Sequence, residues 1–141
     1  MNDINNINDI NNIYDAPLFS LKNYKVKGRV TKVYDGDSIT LIFPLFENVY
    51  KWKCRLLGID TPELRSHNET EKNNAYKIRD ILRNKILNKL VEIECHEFDK
   101  YGRLLVNIYC EDCYINDWLI DNKYAVKYYG GTKSDWSKIL M

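Results

Sequence analysis

Apolar positions recur every second residue in the first third of the chain and every third or fourth in its middle. From Tyr24, Val26, Gly28 and Val30 alternate with Lys25, Lys27 and Arg29, which predicts a half-buried strand. Val33 breaks that count, and Gly28 within it predicts a bulge or the close approach of another backbone. SITLIF at 38–43 and VYKWKCRLLGI at 49–59 predict two further strands. Ala75, Ile78, Leu82 and Ile86, with Ile81 beside them, are spaced by three and four, which predicts an amphipathic helix over 69–89.

Strand patterns return at 90–98 and 103–110, joined by DKYG, whose Asp and Gly suit a tight turn. INDWLIDNKYA then predicts a short helix with Asn116 as its N-cap, and TKSDWSKIL a terminal one capped by Thr132 or Ser134. Trp118 and Trp136 are expected to anchor these two helices to the core. The order predicts an α+β fold, a five-stranded barrel with three helices at its side.

The N-terminus departs from this patterning: NDINNI occurs twice in succession, and isoleucine at every third place fits no strand. Residues 1–21 are therefore expected to be a disordered Asn-rich segment, and 22–141 the folded domain. That segment carries Asp3, Asp9 and Asp15 but no Lys or Arg, so the folded part is mildly basic although the whole chain is only +1. A net charge so small excludes binding of nucleic acid by bulk electrostatics, so phosphate recognition must be local. No apolar run reaches the length of a membrane span, and no signal pattern is evident. A monomer without membrane association is expected, with an intracellular location favoured.

Cys110 and Cys113 form a C-x-x-C without a matching second half, a weak zinc signal, and free structural thiols are expected. The two can also face each other across a turn at Glu111-Asp112. His67 and His96 have no ligand-like spacing and are read as surface or barrel-edge side chains.

Two stretches carry candidate chemistry: DGDS at 35–38, between the first two strands, and DTPE at 60–63, after the third. Either alone is ordinary turn chemistry. Together they lie at strand ends that can meet at one mouth of a barrel. Two aspartates, a carbonyl and waters suit a hard divalent cation such as Ca²⁺, leaving Glu63 to act on a water. Arg55 and Arg103 supply planar forks that match phosphate oxygens.

VYDGDSITL, CRLLGIDTPE and FDKYGRLL, with a long helix between the last two, resemble the staphylococcal nuclease (thermonuclease-like) family. The resemblance implies an OB-fold barrel and a Ca²⁺-dependent nuclease that hydrolyses DNA or RNA to 3′-phosphate products. It implies Asp37, Asp60 and the Thr61 carbonyl as metal ligands, Glu63 as general base, Arg55 and Arg103 as phosphate clamps, and Asp35 as outer support. It also implies nucleotide contacts near Tyr128 and Tyr129, where alignment by Ala125 places Tyr129 at one family tyrosine position and Gly131 at the other. Relative to that family the segment before Arg55 is longer, which predicts an extended turn between the second and third strands. The alternative is a catalytically weak or inactive OB-fold module that binds nucleic acid or protein. Related modules lack these acids and arginines, and this chain keeps them.

Overall fold

The computed structural model describes residues 15–130. The first alternation is β1 (Lys25–Val33), antiparallel to β2 (Ser38–Leu45), which is antiparallel to β3 (Asn48–Leu56). The register of β1 against β2 slips between Val30 and Lys32. This bulge turns Val33 back into the core after Val30, which accounts for the break in alternation. Gly28 is needed for space: a Cβ there would collide with the Ile42 carbonyl oxygen and lie 2.9 Å from both Phe43 Cβ and Ile93 Cδ1.

The turn between β2 and β3 does not extend as expected. Residues 38–45 and 48–55 pair in continuous register from Ser38↔Arg55 to Leu45↔Asn48, leaving only Phe46 and Glu47 to turn. The additional residues lengthen the two strands into a projecting hairpin, in which Trp52 stacks on Phe43 with ring centroids 4.7 Å apart.

The run from Leu56 to Ile59 does not continue through the barrel either. Gly58 takes φ 79° and turns the chain, and β4 (Ile59–Asp60) pairs with β8 (Val126–Lys127) in a separate two-stranded sheet. That turn brings Asp60 back beside Arg55.

Helix α1 (Glu69–Ile86) buries the predicted stripe Ala75, Ile78, Leu82 and Ile86. It ends three residues early, because Leu87 is extended and Asn88 takes φ 64°, leading directly into β5 (Leu90–Phe98). Its N-terminus is capped by Asn68, which accepts from the Glu71 N–H at 3.0 Å.

β5 pairs antiparallel with β1 and with β6 (Leu104–Cys110), and β6 closes the barrel by running parallel to β3. The five-stranded closed barrel is thus β1, β2, β3, β6 and β5. β7 (Cys113–Tyr114) extends β6 as a hairpin that places Cys110 opposite Cys113, and both remain free thiols.

Helix α2 (Ile115–Asp121) begins one residue before Asn116, so Asn116 is not its cap. Instead its buried side chain accepts from the Ile108 N–H at 3.2 Å and donates to the Leu57 and Val106 carbonyls at 2.9 and 3.1 Å. It ties the helix to β6 and to the turn after β3. Trp118 packs partly buried against the core, with Tyr124 tilted beside it.

Two helices are present among the described residues. The expected third, with its caps Thr132 or Ser134 and with Trp136, lies outside them. So does most of the Asn-rich segment, although Leu21 at its end is buried in the core cluster. Among the described residues no helix is long and apolar enough to cross a membrane.

Candidate active site

Burial of charge marks the site. Asp35, Asp37, Arg55, Asp60 and Thr61 are all buried, at the barrel end where β1 passes to β2 and β3 to β4. Arg55 is paired with Ser38 across β2 and β3, and the Leu56 N–H donates to the Asp37 carbonyl at 2.8 Å, so strand register sets Asp37 beside Arg55.

Arg55 Nη2 donates to Asp37 Oδ2 at 3.4 Å and lies 3.7 Å from Asp60 Oδ1. The Thr61 N–H also donates to Asp37 Oδ2, at 3.3 Å, and the Ser38 hydroxyl to Asp37 Oδ1, at 3.1 Å. One guanidinium thus gathers two carboxylates from separate loops. Two acids this close and this buried repel one another unless a cation stands between them.

Asp35 acts on the loop. Its Oδ1 accepts from the backbone N–H groups of Asp37 and Ser38 at 3.1 and 2.9 Å. Burial, reinforced by the neighbouring Asp37 charge, pushes the Asp35 carboxyl up to about 7. Gly36 is required for contact: a Cβ there would sit 2.8 Å from Ile78 Cγ2 of α1 and 2.9 Å from Thr61 Cβ and Cγ2. Read alone, DGDS is turn chemistry, but the demand on Gly36 here is packing between two loops and a helix.

Glu63 is exposed and borders an open cleft of about 500 Å³ together with Asp35, Asp37 and Arg103. Its backbone N–H donates to Glu71 Oε2 at 3.0 Å, and Glu71 Oε1 accepts from the Ser66 hydroxyl at 3.1 Å. Glu71 therefore clamps the loop that carries Glu63. Sequence reading missed it, although Asn68-x-x-Glu71 has the spacing of a capping box.

Arg103 stands just before β6 and is held by Asp99: Nε donates to Asp99 Oδ2 at 2.9 Å, and its N–H to Oδ1 at 3.0 Å. It borders the Glu63 cleft and also a larger one of about 960 Å³ that reaches Arg55, Tyr128 and Tyr129. The two tyrosines differ. The Tyr128 ring lies under the Arg55 guanidinium, 5.1 Å from centroid to Cζ, whereas Tyr129 is 87% exposed at the cleft's rim. Gly131, at the other tyrosine position, lies outside the described residues.

The donor set fits a hard cation. Two buried carboxylates reach one guanidinium nitrogen, and Thr61 Oγ1 beside them is buried without a hydrogen-bond partner. Among the described residues no three His, Cys, Asp or Glu side chains form a metal cluster, so a cation here would complete its shell with backbone oxygen and water.

A closed five-stranded barrel of OB type with acids and arginines at one mouth defines the class. The chain belongs to the staphylococcal nuclease homologues, whose family model matches residues 53–139. It is 32% identical over 121 residues to an uncharacterized protein of Methanocaldococcus jannaschii, covering 72% of this chain and 56% of that protein. It is 33% identical over 75 residues to a probable staphylococcal-like nuclease of Oryza sativa, covering 53% of this chain and 18% of that one. An uncharacterized endonuclease of Escherichia coli is 28% identical over 87 residues, covering 62% and 50%. The chain spans about half the length of these relatives, or less. Because the family match begins at Lys53, Asp35 and Asp37 stand outside it, and their membership of the site rests on their contacts with Arg55 and Thr61.

Proposed function

We propose that the chain is a Ca²⁺-dependent nuclease that hydrolyses phosphodiester bonds of DNA or RNA and leaves 3′-phosphate products. The observation that carries this reading is the convergence of Asp37 and Asp60 on Arg55 at a mouth bordered by Glu63 and Arg103. Asp37, Asp60 and the Thr61 carbonyl hold the ion. Bound there, Ca²⁺ supplies positive charge against the phosphate oxygens.

Arg55 and Arg103 grip the scissile phosphate from the two clefts, and their forks stabilise the charge that accumulates at phosphorus as a fifth oxygen approaches. Tyr128 under Arg55 limits the swing of that fork. Glu63 takes a proton from water, the water oxygen bonds to phosphorus, and the bond from phosphorus to the 5′ oxygen breaks. The 5′ oxygen then gains a proton. Asp35 keeps the Asp37 loop in shape through its two backbone contacts.

Plasmid and single-stranded DNA, and an RNA oligonucleotide, incubated with the protein and Ca²⁺ or a chelator test the reading. Cleavage is expected with Ca²⁺ and is expected to be lost in Glu63→Gln while substrate binding persists. Arg103→Ala is expected to lower turnover at least about tenfold. Absence of cleavage with any divalent ion would overturn the assignment.

A further inference from the structure

The outer wall of β1, β2 and β3 carries a ladder of cations that the site does not use. Strand register sets Lys32 and Lys53 on either side of Thr40, and Arg29 and Lys51 on either side of Ile42, one row further from the mouth. Directly opposed residues share a face, so the four cations form two rungs of one surface. All four are exposed, and among the described residues none is in an ion pair; Arg29 donates only to a backbone carbonyl, that of Asn88. The neighbouring lysines of β1 differ, since Lys25 faces Glu94 and Lys27 faces Glu92 across β5. No carboxylate is paired with these four across the strands, so the row is open to an anionic occupant.

The ladder is continuous with the mouth. The cleft bordered by Asp37, Glu63 and Arg103 is also bordered by Lys32, Thr40 and Lys53, so its first rung is part of the cleft wall. Beyond the second rung the hairpin ends in Phe46, which is 83% exposed. Along β2 and β3 successive rungs are two residues apart, about 6.8 Å, and the bulge makes the spacing three residues on β1. Phosphates of one strand in a duplex advance only about 3.4 Å along the axis and wind around it, whereas an extended strand keeps its phosphates in line with a straight track. An exposed aromatic ring at the end of a basic track suits an unstacked base.

We infer that the β1–β2–β3 wall is a binding track for the flank of a single-stranded polynucleotide, continuing outward from the phosphate held at the mouth. This rests on the mouth taking a phosphodiester. It makes the protein a reader of chain length: a strand reaching from the mouth to the hairpin gains two phosphate contacts that a dinucleotide lacks.

The test uses anisotropy of labelled thymidine and uridine oligonucleotides of about 3 and about 12 residues, in chelator, over a salt series. For the longer probe of either sugar, Lys51→Gln/Lys53→Gln is expected to weaken binding about tenfold. It is also expected to flatten the slope of log affinity against log salt by about 1.4, the value for two single-strand phosphate contacts. The shorter probe should lose markedly less. The control Lys25→Gln/Lys27→Gln removes the same charge from the barrel wall and is expected to change binding less than twofold. An equal loss in the control, an equal loss for both lengths, or no loss in the first variant would each overturn the track. Binding that follows this pattern in a protein that cleaves nothing would keep the track and remove the nuclease reading. Cleavage by wild type with no loss in the first variant would do the reverse.

Discussion

Glu71 holds Glu63 by the backbone: its Oε2 accepts from the Glu63 N–H at 3.0 Å, while its other oxygen takes the Ser66 hydroxyl at 3.1 Å. The carboxylate read as the base is itself exposed, so the clamp from α1 helps position it. Glu71→Ala is expected to lower turnover about tenfold to a hundredfold, the scale of a small misplacement of a reacting group. The melting temperature should move by only a few degrees. Glu71→Gln keeps one acceptor oxygen and should fall between the two. Turnover and thermal melts on the three proteins check this, and unchanged turnover in Glu71→Ala would remove the clamp from the mechanism.

Gly36 and Gly28 predict contrasting failures. An alanine at 36 must displace Thr61 or Ile78, so its effect falls on the mouth: weaker Ca²⁺ binding and lower turnover by about tenfold, with the barrel retained. An alanine at 28 meets the backbone of β2 and is expected to destabilise the barrel by about 2 kcal/mol or more. Once folded it should still cleave. Denaturant melts together with specific activity separate the two.

Asp35 gives a pH dependence. Its folded carboxyl titrates near 7 against an ordinary value of 3.8, so the folded protein binds the extra proton more tightly and loses stability as pH rises from about 4 to 7. Asp35→Asn keeps the oxygen that accepts from Asp37 and Ser38 and removes the charge. In chelator it should melt well above wild type at pH 8, by about 10 °C, with the gain vanishing near pH 3. Millimolar Ca²⁺ should narrow the gap at pH 8, because a cation beside Asp37 offsets the same repulsion. A gain that is constant with pH would rule out Asp35 titration as its source.

Asn116→Ala takes away the side-chain partner of the Ile108 N–H and of the Leu57 carbonyl, while the Val106 carbonyl keeps the Leu57 N–H at 2.8 Å. The expected cost is about 2–4 kcal/mol by denaturant unfolding. A cost below 1 kcal/mol would mean that neighbouring groups take over those bonds.

The strands and α1 were legible in the sequence because each rests on local pattern, alternation or three–four spacing, and the acids at strand ends marked where a mouth could form. Features that depend on contact between distant segments were not. Asn116 has the composition of a cap, and only the meeting of α2 with β6 and the 57–58 turn gives it another use. Val33 read as an irregularity, and the bulge at Thr31 explains it only once β2 is alongside. The contact of the Tyr128 ring with Arg55 was not legible, because it takes the pairing of β4 with β8 to carry the ring there. The shortened apolar run shows the same limit: Gly58 marks its end in the sequence, but the direction of the turn follows from β8.

The parallel pairing of β3 with β6 has a consequence in time. Cys54, Arg55 and Leu56 take their partners from Leu104, Leu105 and Val106, so the strand that sets Arg55 and the strand that follows Arg103 meet about fifty positions apart in the chain. Asp37, Arg55, Asp60 and Glu63 are all synthesised well before that partner exists. The mouth is therefore incomplete on a nascent chain until the closing strand has been made.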